Sequence, residues 1–344
     1  MGVFILIKPM TLIKGNENLK KRLSTDILNN KTSHAYIISG IKGSGKSTIA
    51  LMFAAALECE NKGVDGHALP CLECPSCIKI LRGYSPDIYT IEKSGASVKI
   101  DQIRDLSKNV KFLPNELEHK FYIIKDVHTM TTEAQNAFLL TLEEPPSYVV
   151  FFLLCESEEK LLETVKSRAP ILRTEPLDVD DIKDHLLSSS EEATRLYTES
   201  SDEFGAVLSI ANGSIGRALE LIDEKTREPL IKQRNIAADL VNHSLSKNVY
   251  KLTDLLFSLT PKQDEIIPII DNAEAALRDL ILLKKNEAAT LCFYSDREVA
   301  KEISFSTGIS LIMSIYDKLE KTKTVLLRNA NVKLALTSFI SNIL

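Results

Sequence analysis

From residue 30 to about 175 the chain alternates short apolar runs with stretches whose apolar residues recur at helical spacing. Such alternation is the mark of strands buried in a parallel sheet, each followed by a helix that packs back onto it. The strands fall at Ala35–Ser39, Asp87–Ile91, Lys120–Lys125, Tyr148–Leu154 and Ile171–Thr174, with helices near 46–57, 100–111, 131–143 and 157–166. After Pro176 the strand pattern stops. Short amphipathic segments follow at Asp178–Leu187, Ser190–Glu199, Glu203–Ala211 and Ile215–Glu224. Beyond them, helix-spaced apolar residues such as Leu252, Leu255, Leu256 and Leu259 run on with few turn signals. The pattern predicts an α/β core with a parallel sheet over 1–176, a small helical domain over 177–226 and an all-helical domain over 227–344.

The first strand runs into Gly40–Ser47, which read G-I-K-G-S-G-K-S, and a helical stretch opens at Thr48. This is the strand, loop, helix setting of a phosphate-binding loop. Gly40, Gly43, Ser44 and Gly45 let backbone N–H groups fold around phosphate oxygens, Lys46 supplies a point charge, Ser47 can reach Mg²⁺, and Thr48 completes the expected nucleotide-binding set. A chance glycine-rich turn before a helix is the bland alternative, and the complete motif with correct flanks argues against it. A nucleoside triphosphate site is expected, although the loop does not say whether the nucleotide is hydrolysed.

Composition adds limits. The 344 residues carry a net charge of −5 and no tryptophan, which excludes a chain coated in basic surface without excluding a local basic track. The longest apolar run, Tyr148–Cys155, is too short to span a bilayer. Gly2–Ile7 lacks the basic n-region of a signal peptide, and Leu6 stands where a lipidation motif needs Ser or Thr. A cytoplasmic protein is expected. Cysteines in such a compartment are ligands or core residues more often than disulfides.

Four of the six cysteines cluster: Cys71-x-x-Cys74-x-x-Cys77, with Cys59 upstream in an insert spanning 58–80. Four thiolates match tetrahedral Zn²⁺ and leave no open position, so the expected zinc is structural. His67 competes with Cys59 as fourth ligand. Cys155 and Cys292, in apolar strand and helix settings, are read as core residues.

Three further positions bear on catalysis. The strand Phe121–Ile124 ends in Lys125–Asp126, where a phosphate-loop triphosphatase carries a carboxylate that holds Mg²⁺ and then a Glu that orients water. A lysine there opposes Mg²⁺, and Asp126 is a methylene shorter than the usual base. Asp126 fills one role or the other, or the two residues are only a strand-end charge pair. Ser167-Arg168-Ala169-Pro170 places an arginine on a loop before the last strand, where it can serve a neighbour's γ-phosphate or simply face solvent. Arg217, in the first turn of the helix opened by Gly213-Ser214-Ile215-Gly216, can touch phosphates from the lid side or be solvated.

These pieces in this order resemble the bacterial clamp-loader ATPases, the gamma/tau and delta-prime subunits of the DNA polymerase III holoenzyme. The resemblance is carried by Ser33-His34-Ala35-Tyr36 before Gly40–Thr48, the four-cysteine insert, the run Ala134-Gln135-Asn136-Ala137-Phe138-Leu139-Leu140-Thr141-Leu142-Glu143-Glu144-Pro145-Pro146, Ser167-Arg168, and Gly213–Leu219. It is strong over 10–225 and weaker beyond, where Arg328-Asn329-Ala330-Asn331 looks like the end of delta-prime chains. The resemblance implies an AAA+ core, a helical lid, and a helical collar through which gamma/tau, delta and delta-prime types form an open ring. It implies ATP or ADP with weakly held Mg²⁺, structural zinc on Cys59, Cys71, Cys74 and Cys77, and loading of the sliding clamp onto primed DNA, with no membrane. Arg168 corresponds to the arginine that acts on a neighbour's ATP, with Ala169 where the motif has cysteine, and Arg217 to the lid-side sensor. Gamma/tau motors carry both strand-end carboxylates, whereas delta-prime chains have lost the pair. With no tau-like proline-rich or basic extension, the chain is expected to be delta-prime-like. A gamma-type motor is the alternative; a stand-alone phosphate-loop kinase lacks any substrate-site motif.

Overall fold

The structure, a computed structural model, describes residues 13–64, 68–289 and 291–343. His67 lies outside the described residues. Contacts divide the chain into two compact units: residues 1–181 with 213–217, and residues 182–212 with 218–344.

The first unit is built on five parallel strands: β1 (Ala35–Ser39), β2 (Ile88–Ile91), β3 (Lys120–Ile124), β4 (Val149–Cys155) and β5 (Ile171–Arg173), in the order β2-β3-β4-β1-β5. Every residue of β1, β3 and β4 is buried, as expected of central strands covered on both faces. Side chains alternate between two cores. Tyr36, Ile38, Phe121, Ile123, Val150, Phe152 and Leu154 pack with helices α1 (Glu17–Leu28), α2 (Lys46–Leu57) and α3 (Pro75–Leu81). Ala35, Ile37, Tyr122, Ile124, Phe151 and Leu153 pack with α4 (Ile100–Asn109), α5 (Thr132–Glu143) and α6 (Glu163–Lys166). The register pairs Ser39 with Cys155 and Ile124 with Leu153, so the ends of β1, β3 and β4 come out side by side.

Two differences from the sequence pattern have identifiable causes. Helix α1, with Leu19, Leu23 and Ile27 buried on one stripe, precedes the window in which strand–helix alternation is visible. The helix expected over 157–166 is only a 3₁₀ turn, Glu158–Lys160, followed by the four-residue α6. The buried Gln135 side chain accepts from the Leu162 N–H (2.8 Å) and donates to the Lys160 carbonyl (3.2 Å). A tertiary partner thus takes backbone groups that a continuous helix would use.

Two buried charges tie down the segment between α4 and β3. Lys120 Nζ donates to the Asn109 carbonyl (3.0 Å) at the end of α4, where helix carbonyls favour a cation, and lies 4.8 Å from the Tyr89 ring centroid. Asp87 accepts from the Asn115 N–H (2.6 Å) and side chain (2.9 Å), the Glu116 N–H (2.7 Å) and the Leu117 N–H (3.0 Å). Burial pushes the Asp87 carboxyl up, but these donors pull it further down, so it lies below the usual carboxylate range. A carboxyl with a depressed folded pKa contributes stability that is present above its unfolded value, about 3.9, and is lost as pH falls through the folded one. Asp87→Asn is therefore expected to cost about 2–3 kcal/mol at pH 7 and to flatten the acid-side decline in stability. Urea unfolding of both proteins at pH 7 and at more acid pH reads this directly, and parallel pH profiles would refute it.

The second unit is helical. The helices after β5 are α7 (Val179–Ser189), α8 (Glu191–Glu199), α9 (Ser201–Ala211), α10 (Ile215–Ile222), α11 (Glu224–Leu245), α12 (Val249–Ser258), α13 (Gln263–Lys285), α14 (Arg297–Ser306), α15 (Ile309–Leu327) and α16 (Val332–Ile343). Leu240, Leu256, Ile270, Leu277, Leu280, Ile312, Leu319 and Phe339 are among the residues of its core. Buried Asp279 in α13 accepts from the Phe293 N–H (2.7 Å) and the Cys292 N–H, and Arg234 stacks 4.3 Å from the Phe293 ring centroid. Cys292 therefore lies in the α13–α14 connection and is only half-buried, not in a helix core as its apolar neighbours suggest. Cys155, by contrast, is fully buried in β4. No helix of the described residues is long and apolar enough to cross a membrane.

Candidate functional site

The phosphate loop leaves β1 at Gly40, whose N–H donates to the Cys155 carbonyl (3.1 Å), and ends on the N-terminus of α2. Gly43 and Gly45 take φ of 76° and 81°, the left-handed region that glycine tolerates. Gly45 is the N-cap of α2 and offers no side chain to the first-turn N–H groups, which leaves them for an anion. Lys46 Nζ donates to the Gly40 and Ile41 carbonyls, 2.7 Å each, and so lies back along its own loop. Burial lowers the Lys46 ammonium from the usual lysine range, while Glu156, then Cys155 and Asp126, act in the opposite direction. Ser47 and Thr48 follow in the first turn of α2.

Residues from distant parts of the sequence brace the loop. Thr174 Oγ1, just past β5, donates to Ser44 Oγ (2.9 Å). Ser214 Oγ donates to the Lys42 carbonyl (2.9 Å), and the Gly216 N–H donates to the Gly43 carbonyl (3.0 Å). A Cβ on Gly216 would stand 2.9 Å from Gly43 Cα, and one on Gly43 would stand 2.7 Å from the Arg217 N. Backbone therefore meets backbone here, and Arg217 is brought against the loop through its main chain, its N–H capped by Ser214 Oγ (3.1 Å).

At the end of β3, Lys125 Nζ pairs with Glu92 (2.7 Å). Asp126 adopts a left-handed conformation with φ 53°, and its carboxylate lies 3.6 Å from Lys93 Nζ. The next residues turn into the 3₁₀ segment Val127–Thr129, and His128 Nδ1 accepts from the Glu156 N–H (3.3 Å) at the end of β4. Arg168, after α6, donates to the Thr164 carbonyl (2.7 Å) and to Glu143 (2.6 Å), the last residue of α5. It remains partly exposed.

The cysteine insert is compact. The sulfurs of Cys59, Cys71, Cys74 and Cys77 lie within 4.8 Å of one another, all four residues are buried, and Cys71 and Cys77 sulfurs are 4.0 Å apart. Zn–S bonds of about 2.3 Å in a tetrahedron require S···S separations of about 3.8 Å, so the set fits zinc with small adjustment. Cys74 is the N-cap of α3 and accepts from the Cys77 N–H, which places the third cysteine of the motif inside the helix rather than before it. Burial pushes the Cys59 and Cys77 thiols up. Four thiolates could share this volume only around a cation.

A sequence profile described as "DNA polymerase III, delta subunit" matches residues 15–178. The tau subunit of DNA polymerase III from Bacillus subtilis is 30% identical over 285 residues, 79% of this chain and 50% of that protein. The delta-prime subunit from the same organism is 35% identical over 167 residues, 48% of this chain and 50% of that protein. The chain is thus similar to the tau and delta-prime subunits of DNA polymerase III. It spans half the length of the tau relative. Among solved structures, a gamma subunit-related protein from Thermotoga maritima aligns over 94% of this chain and 97% of its own, at 18% identity and a TM-score of 0.46.

In this chain the structure gathers Gly40, Gly43, Ser44, Gly45, Lys46 and Ser47 with Asp126 and the Arg217 backbone, whereas the side-chain partners of Arg168 are Thr164, Ser167 and Glu143, none of them in the loop. Sequence patterns do not single out Glu156, Thr174 or Glu143 as companions of these groups. Glu143 lies in the diagnostic E-E-P-P run, which was the available signal; Glu156 and Thr174 follow strands, and only the register reveals what they face.

Proposed function

We propose that the chain is a delta-prime-type subunit of a clamp loader, which binds ATP or ADP through Gly40–Ser47, hydrolyses it weakly or not at all, and presents Arg168 to ATP held by a neighbouring subunit. In this proposal residues 177–226 act as lid and 227–344 as collar, the partners are gamma/tau- and delta-type subunits, the sliding clamp and primed DNA, and the setting is the cytoplasm. Zinc on the four cysteines stiffens the insert and takes no part in chemistry, and Mg²⁺ accompanies the nucleotide weakly.

The observation that carries the proposal is the end of β3. Lys125 is a cation paired with Glu92, and Asp126 is turned into the left-handed region beside Lys93. A water-orienting carboxylate must be placed within hydrogen-bond reach of the attacking water, and neither side chain supports that task. Lys46, held at the loop carbonyls, is free to exchange those bonds for phosphate oxygens, which are stronger acceptors.

The test is nucleotide binding and turnover by the purified chain. Saturable ATP and ADP binding is expected with turnover near background, and Lys46→Ala should weaken binding by about 100-fold, the worth of two charge-assisted contacts. A gamma-type motor is the second proposal, supported by the completeness of the loop; it calls for substantial ATPase activity of the isolated chain, abolished by Lys46→Ala.

A further inference from the structure

Gly43 and Gly45 need glycine for their positive φ, but Gly40, the first glycine of the phosphate loop, takes no such angle. At Gly40 the constraint is a side chain. A Cβ there would stand 1.8 Å from Thr174 Oγ1 and 3.0 Å from Ser44 Oγ, so the two hydroxyls meet in the space that glycine leaves. Thr174 is the first residue after β5, and its N–H donates to the Ser39 carbonyl (2.8 Å) at the end of β1, which fixes its backbone to the sheet. Its hydroxyl donates to Ser44 Oγ at 2.9 Å; the Ser39 carbonyl, at 3.4 Å, is a longer and weaker acceptor. Ser44 is half-buried and accepts this bond. Its own proton is therefore directed away from Thr174, and among the described residues no hydrogen bond uses it.

We propose that Thr174 is a positioning residue of the phosphate loop: its hydroxyl orients Ser44 so that the Ser44 O–H is offered as a donor to a phosphate oxygen of the nucleotide. The inference rests on Gly40–Ser47 being a nucleotide site. A serine hydroxyl turns freely and can spend its proton on any nearby acceptor. By filling one lone pair of Ser44 Oγ, Thr174 removes that freedom before the ligand arrives. Hydroxyls in series also polarise one another, so a donor that is itself accepting a hydrogen bond holds an anion more strongly. Valine at 174 would keep the branched shape and lose the hydroxyl. Thr174 itself does not reach the ligand and acts only through Ser44. ATP and ADP share the α- and β-phosphates that the backbone of such a loop cradles, so both gain alike.

The experiment is equilibrium binding of ADP and of ATP, each with Mg²⁺, to the full chain and to its Thr174→Val, Thr174→Ser, Ser44→Ala and Thr174→Val/Ser44→Ala variants, with thermal melts to show that each is folded. Ser44→Ala is expected to weaken both nucleotides by about tenfold, the scale of one hydrogen bond to a charged group, and Thr174→Val by about fivefold. Thr174→Ser restores the hydroxyl and should recover most of what Thr174→Val loses. With Ser44→Ala already in place, adding Thr174→Val should change binding by less than about twofold, because a residue that acts through Ser44 has nothing left to act on. Additive losses in the double variant overturn the inference. So does an equal loss in Thr174→Ser, which would make Thr174 a packing residue. Binding at the wild-type level by Thr174→Val or Ser44→Ala overturns it while leaving the nucleotide site standing. Absence of binding by the wild-type chain removes the nucleotide site and the inference together.

Discussion

Arg168→Ala is expected to lower ATP turnover by a clamp loader assembled with this chain about a thousandfold, with subunit assembly unchanged. The size of the effect follows from what a guanidinium does when a γ-phosphoryl group is transferred: charge spreads over the equatorial oxygens, and a planar cation placed there in advance needs no reorganisation. The geometry suits that task. Arg168 is partly exposed, and its two contacts, with the Thr164 carbonyl and Glu143, hold the side chain without burying it. Glu143 partly neutralises the arginine until a stronger anion arrives. Arg168→Lys keeps the charge but loses the fork, and should recover only a small part of the loss. Steady-state hydrolysis of the reconstituted ring, with size-exclusion chromatography to verify assembly, measures both quantities. Turnover within about threefold of wild type in the Arg168→Ala ring would remove the finger role. A ring that fails to form would make Arg168 an assembly contact instead.

The second large effect concerns the cysteines. Protein purified without chelator is expected to contain one Zn²⁺ per chain, and its removal to lower the melting temperature by about 10 °C or more, several kcal/mol at a few degrees per kcal/mol for a domain of this size. The reason lies in how the insert is packed. Cys59, Cys71, Cys74 and Cys77 belong to the same apolar cluster as Tyr36, Phe53 and Phe152, so a metal held by them would tie the insert to the α2 side of the sheet. Without it, four buried thiols remain, held only by weak contacts: backbone N–H groups of the insert on Cys59, Cys71 and Cys74, and the Ala55 carbonyl and Cys71 sulfur beside Cys77. Cys77→Ser should reproduce the loss, because Cys77 is the most deeply buried of the four. Metal analysis finding no zinc, or chelation leaving the melt unmoved, would end this assignment.

The strands were legible in the sequence because a sheet covered on both faces needs uninterrupted apolar runs, and Tyr148–Leu154 and Ala35–Ser39 supply them. The phosphate loop was legible because its backbone shape requires glycine at fixed spacing, and the cysteine set because a metal imposes its own spacing. What could not be read depends on partners distant in sequence. Gln135 cuts short the helix after β4 by capturing backbone groups at Lys160 and Leu162, and no local pattern announces that. Cys292 looks like a core residue until Asp279 is seen holding its N–H in a connection. Glu156 reads as an ordinary exposed acid; only the pairing of Ser39 with Cys155 places it next to the loop.

The contact between Gly43 and Gly216 has an evolutionary side. Two positions far apart in the chain touch with no side chain on either, so neither can gain a methyl group unless the other segment backs away. A drift at one site has no compensating substitution at its partner, since nothing smaller than glycine exists to make room. A chain that lost either glycine would have to rebuild the phosphate loop and the turn before α10 together.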